Sequence, residues 1–315
     1  MGDHLEKIYE CDLHCHTNRS DGNASPEEVI QLAARRKVKV LAITDHDVKP
    51  PARITLGGRT QSLKEYGQAQ GVLVIPGIEI SCDTEVEDVH IIALGCDWER
   101  SFFEELEAGA VQSKVKGYYE LIKRLNQKGI LIDWEEILYN DGSPIPEEKL
   151  QKKKIFEMIA KKGYAPSWQD AKLLVQKEKE FRIMREKPDP FYVIREIHKA
   201  NGVSILAHPF LIKEPVVKEG RNLSRFEYID RMVKEGLDGI EACYTYDKTS
   251  YGGQLSKAEI ETVIRARYEG KVKMISGGSD YHADEKKGVK HARMLGECGV
   301  TMSYFEESMK PWIFK

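Results

Sequence analysis

Residues 11–22, CDLHCHTNRSDG, set His14 and His16 one residue apart and put Asp21 five positions further on. On an extended segment residues i and i+2 face the same way, so His14 and His16 can hold one ion together, while Cys15 between them faces the opposite side. More residues of the same kind follow along the chain. His46 lies in TDHD, Glu79 in GIEIS, His90 opens HIIALG, His208 closes SILAHP, and Asp280 and His282 share GGSDYH. Six of the nine histidines thus stand with three carboxylates at the ends of apolar runs. Imidazole nitrogens and carboxylate oxygens without thiolates suit Zn²⁺, Mn²⁺ or Fe²⁺ in a reactive site and argue against a structural zinc. A carboxylate such as Glu79 can bridge two ions, and adjacent cations would neutralise a phosphate and activate a water. His4, His198 and His291 lie outside the pattern and are expected at the surface or in packing.

The elements that must position these residues are short Val- and Ile-rich runs. KVKVLAITDHD (37–47), VLVIPGIEIS (72–81), GVSILAHP (202–209), GLDGIEACY (236–244) and VKMISGGSDYH (272–282) are expected strands. Ser25-Pro26-Glu27-Glu28 carries the marks of a helix start: a serine cap, proline at the first position and a glutamate completing a capping box. Strands alternating with helices predict a parallel α/β sheet or barrel, and in a parallel barrel the carboxyl ends of the strands share the face where sites are built. From about 101 to 200 the pattern changes to amphipathic helices (YYELIKRLNQKGI, KKKIFEMIAKKGY, SWQDAKLLVQKEKEF), with a turn cluster NDGSPIPEE between them. Residues 101–190 hold 17 Lys and Arg against 16 Asp and Glu, so Lys152-Lys153-Lys154 sits in a mixed surface and no basic patch forms. This segment supplies none of those six histidines and three carboxylates.

Composition bounds the function. The 315 residues are 41% hydrophobic and 31% charged, which are globular values, and the net charge of −3 gives no overall pull towards nucleic acid. No apolar run approaches the roughly 20 residues needed to span a bilayer. The first residues, MGDHLEKIYE, are too charged for a signal peptide, so a cytoplasmic protein is expected. Cysteines 11, 15, 82, 96, 243 and 298 match neither a disulfide framework nor a paired zinc motif and are expected to be reduced and buried.

Taken in order, DLHCHTNRSDG, ITDHD, IPGIEIS, HIIALG, LAHP and GGSDYH resemble the PHP (polymerase and histidinol phosphatase) family of metal-dependent phosphoesterases, over about residues 9–98 and 202–284. The resemblance implies an α/β fold: a distorted seven-stranded β/α barrel formed by 1–100 and 201–315, with a helical insertion, 101–200, covering the active site. It implies a centre of three divalent ions, Mn, Fe or Zn. His14, His16 and Asp280 would bind the first with Glu79 as the bridge, His90 and His208 would join Glu79 on the second, and Asp21, His46 and His282 would hold the third. The helical insertion and Asp21 are similar to the small stand-alone phosphatases of the family, some acting on nucleoside phosphates and one opening a cyclic sugar phosphate. Such relatives often carry an Arg-x-His pair in the insertion and an arginine just after AHP. Here Lys152 and Lys154 match the first locally and Leu211 stands at the second, with Arg19, Lys213 and Arg221 as further candidate phosphate contacts. The expected activity is hydrolysis of a small phosphomonoester, such as a nucleoside or sugar phosphate, by a metal-activated hydroxide, with no catalytic side chain beyond the ligands. The alternatives are a cyclic phosphodiesterase and, further off, a PHP exonuclease. A small-molecule phosphate ester is thus the expected partner, nucleic acid and membrane are not expected, and nothing in the sequence sets an oligomeric state.

Overall fold

A computed structural model describes residues 8–140, 142–289 and 291–315, so His4 lies outside the described residues. Contacts divide the chain into two compact units, Met1–Glu104 with Pro188–Lys315, and Glu105–Lys187.

The larger unit is built on one seven-stranded sheet. Its strands are β1 (Cys11–Asp12), β2 (Val40–Ile43), β3 (Leu73–Cys82), β4 (Val89–Leu94), β5 (Val203–Leu206), β6 (Gly239–Cys243) and β7 (Met274–Gly277), neighbours in space in chain order. The sheet curls until its edges meet: Leu13 N–H donates to the Gly277 carbonyl (3.2 Å), Asp280 N–H to that of His14 (2.8 Å), and His16 N–H to that of Tyr281 (2.8 Å). The result is a nearly closed, distorted β/α barrel. β2 and β5 to β7 are buried along their whole length, as expected of barrel strands covered on both faces.

Sequence alone suggested a parallel sheet. Four of the six neighbouring pairs are parallel, but β4 runs antiparallel to both β3 and β5. The reason is the length of the link: only residues 83–88 separate β3 from β4, too few for the helical crossover that a parallel return requires. The reversal places His90, near the start of β4, at the same end of the barrel as residues that close the other strands.

The helices that cover the sheet begin at side-chain caps. Pro26–Arg35 has the capping box of Ser25 and Glu28, and Leu63–Ala69, Arg225–Glu235 and Lys257–Tyr268 repeat it with Ser62, Ser224 and Ser256. Val29, Ile30, Ala33, Leu41, Ile43 and Val74 form one apolar layer between helices and sheet. Leu13, Val40, Ala42, Ile75, Ile92, Ile205 and Met274 form the other, which Phe305, Met309 and Ile313 of the C-terminal helical segment join. Cys15 lies in the first layer, facing away from its two histidine neighbours.

The smaller unit has its own core of Leu121, Leu125, Ile137, Ile155, Phe156, Ile159 and Val175, drawn from the helices Ser101–Gln127, Trp134–Leu138, Lys152–Lys161 and Trp168–Lys177. Part of the turn cluster becomes a small hairpin pairing Tyr139 with Pro144. The helix Pro190–Lys199 belongs to the barrel unit, against β4 and β5.

Candidate metal centre

The nine candidate ligands picked from the sequence all fall in the barrel unit, and Glu79 is the hub. It sits on β3 with no exposed surface, and β2 leads straight to it: Glu79 N–H donates to the Asp45 carbonyl (3.2 Å) and Asp47 N–H to that of Glu79 (2.9 Å). One carboxylate oxygen, Oε2, has His14 Nε2 and His16 Nε2 at 3.1 Å and His46 Nδ1 at 3.2 Å. The other, Oε1, has His208 Nε2 at 2.9 Å and His90 Nδ1 at 3.0 Å. Beyond Oε2, Asp280 Oδ1 stands 3.0 Å from His16 Nε2 and 3.5 Å from His14 Nε2. Asp21 Oδ1 lies 3.2 Å from His282 Nε2 and 3.9 Å from His16 Nδ1. Three overlapping groups have donor atoms close enough to share an ion: His14, His16, Glu79 and Asp280; His46, Glu79 and His90; and His16, Asp21, His46 and His282.

Two of the candidate ligands are held by backbone that only the fold enforces. His208 has φ +29° and Asp280 φ +51°, left-handed conformations that cost a non-glycine residue of order 1–3 kcal/mol. Gly278 answers a different demand: a Cβ there would lie 2.3 Å from His14 Cβ and 2.6 Å from His14 N, so only glycine lets the end of β7 approach the first histidine.

The electrostatics fit cations. Burial opposes ionisation of Glu79, but the imidazoles of His46, His14 and His90 outweigh it and hold the carboxyl well below its usual range. Asp280 behaves likewise, burial being overcome by His14, His16, His282 and Arg293. Burial pulls His14 down, yet Glu79, Glu241 and Asp280 hold it well above the ordinary histidine value; His16, against the same burial, is pushed up to about 10 by Asp280 and Glu79. His46 goes the other way, to about 3, through burial and neighbouring imidazoles despite the pull of Glu79. Buried carboxylates kept ionised require positive charge beside them. His14 and His16, both held above the ordinary histidine value, are the side chains beside Glu79 that can carry it.

The donor set passes a second test. Among the described residues, six buried side-chain polar atoms lack a hydrogen-bond partner, and five belong here: His16 Nδ1, His46 Nδ1, Glu79 Oε2, His208 Nδ1 and Asp280 Oδ1. Buried polar atoms are normally satisfied, so their concentration in one place is what a set of ligands gives. The buried His, Asp and Glu clusters suit a multi-metal site.

Behind the ligands stand residues that sequence reasoning missed. The buried Glu241 of β6 accepts from His14 Nδ1 (3.2 and 3.3 Å) and from His208 N–H (2.8 Å). Tyr244 O–H donates to Asp280 Oδ2 (2.7 Å), and Arg293 pairs with the same oxygen. Asp45 accepts from Thr17 N–H (2.7 Å) and hydroxyl (2.8 Å), steadying the loop after β1, and Asp12 accepts from Ser279 N–H (2.9 Å) and hydroxyl (2.6 Å) below the end of β7. The available signal was an acid inside an otherwise apolar strand, as in GIEAC. His198 lies apart from the site and bonds Asp238 (2.7 Å).

The candidate phosphate contacts are dispersed. Arg19 is in the loop after β1, its guanidinium donating to the Lys49 carbonyl (3.0 Å). Lys213 and Arg221 are exposed, on the segment after His208 and in a hairpin pairing Val216–Lys218 with Arg221–Leu223. Lys152 and Lys154 belong to the smaller unit; Lys154 Nζ donates to Asn140 Oδ1 (3.0 Å).

A barrel with histidines and carboxylates gathered at one end suits a metal-dependent hydrolase, and residues 12–186, more than half the chain, match the model of the PHP domain. The chain belongs to the PHP family. It is similar to the phosphoribosyl 1,2-cyclic phosphate 1,2-diphosphodiesterase of Eggerthella lenta, 28% identical over 278 residues, or 86% of this chain and 93% of that one. It is also similar to a 5'-3' exoribonuclease of Haemophilus influenzae, 27% identical over 199 residues, covering 63% of this chain and 68% of that one. Among solved structures, a Bifidobacterium adolescentis protein described as a metal-dependent phosphoesterase superposes with a TM-score of 0.63 at 26% identity, over 95% of this chain and 94% of that one. Among the described residues no helix is long and apolar enough to cross a membrane.

Proposed function

We propose that the chain hydrolyses a small phosphorylated metabolite, a nucleoside or sugar phosphate, on a centre of three divalent ions, Mn, Fe or Zn. The observation that carries this reading is the division of labour at Glu79, whose Oε2 faces His14, His16 and His46 while Oε1 faces His90 and His208. Such a division suits a carboxylate that bridges two ions. His14, His16 and Asp280 complete the first site, His90 and His208 the second, and Asp21, His46 and His282 the third. When bound, the ions would supply Lewis acidity towards a phosphoryl oxygen and lower the pKa of a water. The chain's own residues fix the donors: Tyr244 and Arg293 occupy Asp280 Oδ2 and leave Oδ1 facing the imidazoles. Arg19, on the loop that also carries Asp21, is the candidate for gripping a substrate phosphate. A cytoplasmic setting is part of this proposal, in keeping with cysteine spacings that match no disulfide framework.

Opening of a cyclic phosphodiester is the second reading, favoured by the match to the Eggerthella lenta enzyme across most of both chains. The exoribonuclease relative keeps nucleic acid among the substrate classes to be tested, although the net charge of −3 gives no electrostatic grip on a polyanion. A panel of nucleoside monophosphates, nucleoside bisphosphates, sugar phosphates, cyclic phosphates and short RNA, assayed with each metal in turn, tests all three. Turnover of a small ester well above that of RNA is the expected result. Preference for RNA would overturn the proposal, and preference for a cyclic phosphate would move it to the second reading.

A further inference from the structure

We propose that Glu241 is a positioning residue that couples two of the ion sites. The inference rests on the ligand assignment proposed for His14 and His208. Glu241 has no solvent-exposed surface and lies on β6, a strand that contributes no ligand. Its carboxylate nevertheless reaches one ligand from each of two sites. His14 Nδ1 is within 3.2 and 3.3 Å of its two oxygens, and His208 N–H donates to Oε2 at 2.8 Å. The rings of His14 and His208 stack with centroids 5.8 Å apart, so the carboxylate sits behind a pair of neighbouring imidazoles.

Each contact does a separate task. An ionised carboxylate only accepts, so Nδ1 of His14 must carry the hydrogen, which turns the lone pair of Nε2 towards Glu79 and Asp280 once the ring is neutral. At His208 the bond goes to the main chain. That residue holds φ at +29°, and an N–H anchored on a buried carboxylate offsets the strain of the turn that aims its ring at Glu79. Moving Glu241 therefore disturbs a side chain in the first site and a backbone in the second. The third site draws on Asp21, His46 and His282, whereas the Glu241 carboxylate bonds His14 and His208; that site should be indifferent. The expected signature is selective: two ions weakened together and one retained.

The test is metal titration of the chelator-stripped, full-length chain with Mn²⁺, followed by calorimetry and elemental analysis, for the wild type, Glu241→Gln and His14→Ala. Glu241→Gln keeps the size of the side chain and an acceptor for His208 N–H but cannot keep two acceptor oxygens. Loss of about 10–100-fold in affinity for two ions with the third unchanged is the expected result. Unchanged affinity for all ions would overturn the proposal, and so would equal loss of all three in a chain still folded by circular dichroism, since that would mark a structural role. Should Glu241→Gln fail to fold, Glu241→Asp, which retains the charge and shortens the reach, is judged by the same outcomes. His14→Ala separates the two layers of inference. If it leaves metal binding intact, the ligand assignment fails; if it removes an ion while Glu241→Gln and Glu241→Asp do not, only the coupling fails.

Discussion

The barrel unit and the helical unit are built by the same rules of apolar periodicity and capping, yet they differ in how openly they show chemistry. In the barrel, histidines and carboxylates sit where the strands are otherwise buried and apolar. A polar group in such a place needs a reason, and the clustered imidazoles and carboxylates around Glu79 and Asp280 suit cations. In the helical unit the conspicuous residues are lysines on an amphipathic helix, where a charge is ordinary. Lys153 pairs with Glu157 and lies over the Trp168 ring, and Lys154 is tied to Asn140, both as a solvated face would have them. Lys152 is exposed like Lys153, its ammonium over the Phe156 ring, and partial burial with Arg185 and Lys172 nearby lowers its pKa. A residue type is informative where its surroundings make it costly.

The largest expected effect breaks the barrel's side of this contrast. His16→Ala and Asp280→Ala each remove a buried candidate ligand and should lower kcat/KM by more than about 10³-fold, beyond the 10–100-fold typical of changes behind a ligand, with circular dichroism close to wild type. Activity within a few-fold of wild type would return these residues to the ordinary core.

Glycine substitutions sharpen the contrast. At Gly278 a Cβ meets His14 backbone and Cβ, so Gly278→Ala should cost about 1–3 kcal/mol in stability and weaken metal binding as His14 is displaced. At Gly129, in the helical unit, φ is +82° and nothing lies within 4 Å of the added Cβ. Gly129→Ala should cost about 1–2 kcal/mol through the left-handed backbone alone and leave metal content untouched. Denaturant titration beside elemental analysis checks both.

The pH dependence of the metal-free chain should be two-sided. His16 has a folded-state pKa raised to about 10, so its contribution is complete below the ordinary value near 6.5 and is lost as pH rises through 10. His46, lowered to about 3, contributes above about 6.5 and loses that contribution as pH falls towards 3; Glu79 and Asp280, also lowered, add to the acid limb. Unfolding midpoints in chelator should therefore fall between pH 7 and 10, whereas the metal-loaded chain, with ions in place of these protons, should hold its stability over that range. Identical alkaline profiles would contradict the charge balance deduced for the site.

The smallest effect concerns the lysines. Lys152→Ala and Lys154→Ala should each change kcat/KM for the preferred phosphate by no more than about twofold, the scale of a charge on a solvated helix face. A generic aryl phosphate should register neither. A larger loss confined to the preferred phosphate would overturn the reading of the triplet as surface.

Most of the barrel and all nine candidate ligands were legible because strand periodicity and residue type coincide at strand ends. What escaped notice depends on partners distant in sequence. Glu241 touches His14 across 227 positions, and Arg293 becomes meaningful only beside Asp280. The reversal of β4 could have been inferred from its six-residue link, 83–88, but the apolar run looks alike in either direction. The helix Pro190–Lys199 has the same amphipathic repeat as the insertion helices before it, so periodicity alone could not assign it to the barrel.

Anomalous diffraction from metal-replete crystals tests the central claim most directly. The account predicts three peaks: one among His14, His16, Glu79 and Asp280, one at Glu79 with His90 and His208, and one among Asp21, His46 and His282. A single peak, or none within reach of Glu79, would contradict it.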